Sequence, residues 1–420
     1  MGVEAPQAGK LAHAVFLNRV NDQPATSPEV RLGQGGFLAL RLADLLAPDR
    51  SPVEPEVFNY QWTATERYCA ELVHEGTEAA HLIGIVRAVA DAYRQGDVRL
   101  MVPNLFAYVH HLEQTLRWEE ALDVIQTVAL IGGERMSSQD QVATHLRLGV
   151  LNRNLARFED ADAAYAAAEQ LASAAGDRAS ILLSRVGRSI GLMKRGNLPE
   201  SERSLRAVLV DAQAWQCRDV EARAEHVLGN VLDTRGQPAE GAPHVWRAYE
   251  LYEDESAKLR ALGDLGLLLL RIGDAVAAER ALREVVRRSQ QADTVLNAKI
   301  ELMHCALYRN DRVGFERWRA ELNTCADDMP PNVLADFYVK SGVGSARFGN
   351  VARGRQLLDR AAGVATAHRL HEVEFRIEQI KSGLDDGETA ASEQPHAAAE
   401  PYFESDALRE VSASLALLAE

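Results

Sequence analysis

The sequence predicts an all-α protein assembled as an array of antiparallel helix pairs, and three observations predict it. Turn residues recur over more than half of the 420-residue chain at a nearly constant interval. Each turn is flanked by amphipathic runs that carry small residues at matching places. The composition is 47% apolar and 25% charged with only 6% aromatic residues, which is ordinary for a folded chain and leans to helix rather than to a large β-sandwich core. A chain of this length holds two or three ordinary domains or one long repeat. The interval decides for the repeat.

The turn positions are Leu116, Ala156, Gly196, Gly236, Gly273, Asn310 and Gly349, separated by 40, 40, 40, 37, 37 and 39 residues. Upstream of the turns stand pairs such as Leu148-Gly149, Leu228-Gly229 and Leu265-Gly266; downstream stand Ala161, Gly241 and Ala278, followed by a second apolar run. Small residues at these two sites let antiparallel helices cross closely. A Gly or Asn after the first helix supplies a left-handed C-terminal cap. The Asp, Pro or Glu that often follows favours the start of the next helix.

Taken in order, residues 1–54 form an N-terminal segment expected to be mobile over 1–26, where Pro, Gly and Asp occur without an apolar stripe. Ser27-Pro28-Glu29 signals a helix start, but Gly33, Gly35 and Gly36 are expected to interrupt any helix until 37–46. Residues 55–97 read as a capping pair, 55–75 and 77–95, the first with Phe58, Trp62, Tyr68 and Leu72 on one face. About seven helix pairs occupy 98–383. Residues 384–404 contain no Lys or Arg and are rich in acidic residues, Ala, Ser and Pro, the composition of a disordered acidic linker. Over 405–420, Leu408, Val411, Leu415 and Leu418 recur at helical spacing behind a capping Ser405, which predicts an amphipathic C-terminal helix.

Phrases such as LARFEDADAAYAAAEQLA and LLRIGDAVAAERALREV resemble the second-helix consensus of the tetratricopeptide repeat family. The spacing departs from that family's usual 34 residues and is similar to the extended repeats of bacterial regulatory and scaffold proteins. The resemblance implies a right-handed superhelix, an α-solenoid, in which the first helix of each pair lines a concave peptide groove. Carried onto this sequence, it places Arg153, Asn154, Lys194, Arg223, His226, Asn230, Arg271, Lys340 and Arg347 on the inner wall, interspersed with Leu146, Val150, Ile190, Leu267 and Ile300. In a chain with 46 basic and 61 acidic residues, net charge −15, that set is basic. It favours an acidic or carboxylate-ended peptide. The Lys-Asn-Asn-Lys-Arg clamp that binds chaperone C-termini is not reproduced; only Asn230 has an equivalent.

The remaining chemistry is thin. Gly33-Gln34-Gly35-Gly36 follows no strand and precedes no Lys-Ser/Thr, so it reads as a loop into a helix cap rather than a phosphate cradle. His110 and His111 are adjacent and diverge on a helix; His368 and His371 have no third ligand nearby. No GxSxG, HExxH or paired-carboxylate motif occurs. No enzyme, metal or cofactor is therefore expected. Cys69, Cys217, Cys305 and Cys325 form no CxxC pair, which predicts reduced thiols in a cytoplasmic protein. No signal peptide or membrane span is read.

The acidic balance argues against direct nucleic-acid binding. So do residues 1–50, where Lys10, Arg19, Arg31, Arg41 and Arg50 are matched by Glu4, Asp22, Glu29, Asp44 and Asp49. The function expected is a noncatalytic scaffold or adaptor that captures a protein or peptide segment in its groove, gated by the C-terminal helix docking in cis. The alternative is a ligand- or partner-sensing regulator acting on transcription through another protein.

Overall fold

All seven turn positions have left-handed backbone: φ is 59° at Leu116, 57° at Ala156, 80° at Gly196 and Gly236, 97° at Gly273, 55° at Asn310 and 88° at Gly349. The rhythm in the sequence is thus a rhythm of helix C-caps. The computed structural model describes residues 11–20, 24, 26–368, 370–385 and 405–418, and among these there are helices and no strand. The chain divides into two compact units, Met1–Gly196 and Asn197–Glu420.

The first unit holds α1 (Pro28–Ala43), α2 (Pro55–Glu71), α3 (Thr77–Gln95), α4 (Val102–Gln114), α5 (Trp118–Gly132), α6 (Ser138–Asn154), α7 (Phe158–Ala175) and α8 (Arg178–Lys194). Two expectations fail here. First, α1 runs unbroken through Gly33, Gly35 and Gly36. A Cβ at Gly33 would lie 2.5 Å from the Phe16 carbonyl oxygen, one at Gly36 2.7 Å from the Phe16 ring, and one at Gly35 2.9 Å from both Leu72 and Leu82. The glycines therefore serve close packing; each costs about 1 kcal/mol of helix propensity.

Second, part of the supposedly mobile N-terminus is built into the core. A 3₁₀ turn, Ala14–Val20, seats Phe16 at 0% exposure. Arg19 Nη2 lies 2.9 Å from Glu78 Oε1 and 2.6 Å from Glu120 Oε2. Arg117 also pairs with Glu78, at 2.7 Å, and the buried Tyr108 hydroxyl donates to the same carboxylate at 2.7 Å. His13 bridges Asp123, 2.6 Å from Nδ1, and Asp44, 3.1 Å from Nε2 and off the line of a good hydrogen bond. Partners about a hundred residues away in sequence leave no periodic stripe to read.

Burial alone would lower the His13 pKa, but bonds and attraction from Asp123 and Asp44 outweigh it and raise it from 6.5 to about 9. A histidine whose folded value is raised contributes stability that is fully present below about pH 6.5 and is lost as pH climbs through about 9. His13→Gln should therefore flatten the pH dependence of the urea midpoint between pH 6.5 and 9.5, by on the order of 3 kcal/mol. Parallel curves for the two proteins would show that the ring is not charged in the folded chain.

Further along this unit, the Tyr165 ring of α7 lies against two glycines, Gly149 of α6 and Gly187 of α8; a Cβ at Gly149 would come 2.5 Å from it. The second unit holds α9 (Leu198–Ala214), α10 (Arg218–Thr234), α11 (Pro238–Leu251), α12 (Glu255–Ile272), α13 (Ala275–Arg288), α14 (Ala292–Tyr308), α15 (Arg312–Asn323), α16 (Pro331–Arg347), α17 (Val351–Ala367), α18 (His371–Asp385) and α19 (Asp406–Leu418).

Glycine pairs bring helices together backbone to backbone in two places. A Cβ at Gly241 would lie 2.6 Å from the Gly229 carbonyl oxygen, and one at Gly354 2.9 Å from that of Gly342. Val339, Leu358, Ala361 and Ala365 join Ile377 of α18 in a small terminal core.

Helix α19 packs on α11 and α13, with Leu408, Val411 and Leu415 at 6%, 2% and 1% exposure and Leu418 half-buried. Ser412 Oγ donates to Asp274 Oδ2 at 3.2 Å. The linker expected over 384–404 lies outside the described residues from 386 onward. No described helix is long and apolar enough to cross a membrane.

Candidate functional site

Helices α10 and α12 are the first members of consecutive pairs, and two side-chain contacts join their open faces. His226 Nε2 lies 2.8 Å from Asp264 Oδ2, with its Nδ1 3.3 Å from the Tyr252 hydroxyl. Two turns on, Arg271 pairs with Asp233. Between these contacts lie half-buried Asn230 and Leu267, and just before Asp264 stands Gly263, where a Cβ would meet nothing within 4 Å.

Arg223 stands three residues before His226, and Arg260 four residues before Asp264, so each is one turn N-terminal to the joined pair. Both are exposed, and neither has a carboxylate partner among the described residues. Burial pushes the Tyr252 phenol up to about 12, against the lowering influence of the Arg223 and Arg260 charges. Exposed guanidinium groups can bind a carboxylate with charge-assisted hydrogen bonds.

Of the nine wall residues expected from sequence, the structure gathers Arg223, His226, Asn230 and Arg271 on α10 and α12. Arg153, Asn154 and Lys194 belong to the other unit; Lys194 is exposed, Asn154 is half-buried, and Arg153 donates to the Tyr165 hydroxyl at 2.8 Å. Arg347 is half-buried at the end of α16.

Lys340 is a correction. It is 8% exposed, bonded to Glu301 and, at 2.7 Å, to Asp336, because its helix face turns into α14. Ile300 is likewise fully buried, whereas Leu146, Val150, Ile190 and Leu267 are half-buried as a mixed wall requires. Sequence reasoning missed Arg260 and Asp264. Counting back from Leu267 in steps of three and four along α12 reaches both.

The C-terminal helix docks in cis, but on second helices, so it does not share the surface of this wall. Nothing in the described residues groups three or more His, Cys, Asp or Glu side chains for a metal. Burial pushes the Cys69 thiol up to about 12 and the Cys305 thiol higher still, away from the thiolate that nucleophilic chemistry needs.

These features define the class by fold: an all-α helical repeat protein with tetratricopeptide-like helix pairs. No family model and no curated protein sequence matches the chain. Solved structures do. The Rap conjugation gene regulator of plasmid pLS20, solved with the Phr* peptide, superposes with a TM-score of 0.53 at 12% identity over 83% of this chain and 98% of that one. A Rap protein complexed with competence and sporulation factor gives 0.51 at 9% over 82% and 99%. The apo quorum sensor NprR from B. thuringiensis gives 0.50 at 11% over 83% and 91%. At these identities the likeness is one of fold.

Proposed function

We propose that the chain is a noncatalytic peptide-binding regulator or adaptor that captures an acidic segment on the wall formed by α10 and α12. The observation that carries this reading is that Arg223 and Arg260 are exposed, without a carboxylate partner among the described residues, each one turn from the joined His226 and Asp264, in a chain of net charge −15. His226 and Asp264 position the pair by joining the two helices one turn away. Asn230 offers an amide for peptide backbone, and Leu267 with the bare surface of Gly263 accommodates an apolar side chain. Similar folds named as a quorum sensor, as a conjugation gene regulator solved with a peptide and as a Rap protein solved with competence and sporulation factor support regulation through a captured peptide as the use of such a wall.

In the same reading, α19 gates capture indirectly. It bridges α11 and α13, the second helices of the two pairs that supply the wall, so its release frees their spacing.

The test is fluorescence anisotropy with a labelled pool of acidic decapeptides and a counterpart pool in which every Asp and Glu is replaced by Asn and Gln. The acidic pool should bind, with affinity falling as salt rises. The double variant Arg223→Glu, Arg260→Glu should weaken it at least tenfold, about 1.4 kcal/mol. Equal binding of both pools, or no effect of the double variant, sinks the proposal.

A further inference from the structure

Arrays of stacked repeats need covers at their ends, where an apolar face would otherwise meet water. Helix α18 is such a cover, following α17 almost directly and sharing its core. Helix α19 is different. It lies beyond residues 386–404, yet it returns to α11 and α13, in the middle of the pairs rather than at their end.

Its three buried aliphatic side chains join a cluster that includes Val245, Trp246, Leu282 and Val285. Asp274 serves both sides of the contact: Oδ1 accepts the Ala277 amide at 2.9 Å and caps α13, while Oδ2 accepts Ser412. The outer face of the docked helix, with Asp406, Arg409, Glu410 and Ala413, is exposed.

Helix α13 is net basic, whereas the chain from residue 384 onward is net acidic. Helix α13 carries Arg280, Arg283, Arg287 and Arg288 against Glu279 and Glu284. From residue 384 to the C-terminus, Arg409 is the lone Arg or Lys among nine acidic residues.

We infer that the groove between α11 and α13 is a docking surface, separate from the first-helix wall, for an acidic amphipathic helix of a partner protein, with α19 as the built-in competitor. The recognition elements are aliphatic residues at the spacing of Leu408, Val411 and Leu415, a hydroxyl one residue after the second of them to meet Asp274, and acidic flanks facing the arginines of α13. The tether explains why the chain fills its own groove. Covalent attachment holds α19 near its groove at an effective concentration on the order of a millimolar. A free partner must bind well enough to overcome that.

The experiment uses the full chain and a labelled synthetic peptide of residues 404–420. A Leu408→Glu, Leu415→Glu variant of the chain releases its own helix; its urea midpoint and helicity report that the array is intact. The peptide should bind this variant at least tenfold more tightly than it binds wild type. Ser412→Glu in the peptide, which sets a carboxylate against Asp274, should cost at least tenfold. A designed acidic helix with the same three aliphatic positions and serine should also bind the opened chain, and its lysine-substituted counterpart should not.

Binding to neither chain, equal binding to both, or equal binding of the acidic and basic helices overturns the inference. So does a wild-type dimer in sedimentation velocity that the double variant abolishes, because the occupant is then a second copy of this chain.

Discussion

Lys340→Met is expected to lower the unfolding free energy by about 3–5 kcal/mol, because it leaves a buried carboxylate without its counter-charge. Lys340 Nζ is bonded to Glu301 of α14 and, at 2.7 Å, to Asp336 of its own helix. Burial disfavours the charged form of both partners, but their mutual attraction prevails: the Glu301 carboxyl is held below its usual range and the Lys340 ammonium above its own. His304 Nδ1 stands 3.6 Å from Glu301, too far to replace the lost bond. Changing both members together, Lys340→Met with Glu301→Leu, should recover most of the loss, since a buried ion pair exchanged for apolar side chains is often near neutral. Urea midpoints of the three variants check this. A double variant as unstable as Lys340→Met alone would show that the cost lies in packing rather than in charge.

Gly229→Leu is expected to cost about 1–3 kcal/mol or more by overpacking. A Cβ there would lie 2.9 Å from the Gly241 carbonyl oxygen and closer still to Val245, so a branched side chain forces α10 and α11 apart. These helices also carry half of the candidate wall and half of the groove for α19. Gly229→Leu should therefore weaken capture of the acidic peptide pool as well as lower the urea midpoint. At Gly263, also on the wall, a Cβ meets nothing, and Gly263→Ala should leave the midpoint within about 0.5 kcal/mol of wild type or raise it. An unchanged midpoint for Gly229→Leu would refute the close crossing.

Much of the architecture was legible because repeats write local rules many times over. A left-handed C-cap depends on one residue and its neighbours, so Gly196, Gly236, Gly273 and Gly349 mark helix ends without reference to the rest of the chain. Leu116 and Ala156 adopt the same backbone without glycine's advantage, and only their place in the rhythm betrays them. The stripe of Leu408, Val411 and Leu415 likewise announced a helix with one apolar face, although not where that face goes.

The glycines of α1 were misread because their cause is non-local. Gly33, Gly35 and Gly36 look like helix breakers until Phe16, Leu72 and Leu82 are seen to occupy the space of the missing Cβ atoms. The candidate site was legible in part. Arg223, His226, Asn230 and Arg271 follow from helical periodicity, yet periodicity cannot tell an arginine on an open wall from Lys340, which meets Glu301 on the neighbouring α14.

By itself the sequence determined that this chain is an all-α array of helix pairs with an amphipathic C-terminal helix, because caps, turns and apolar periodicity are properties of a few consecutive residues. Only the tertiary structure decided that His13 and Arg19 anchor the N-terminal turn, that Lys340 is buried, that His226 of α10 meets Asp264 of α12, and that α19 lies on α11 and α13. Each of these depends on which charge or apolar face a distant segment brings within a few ångströms, and no local pattern encodes that.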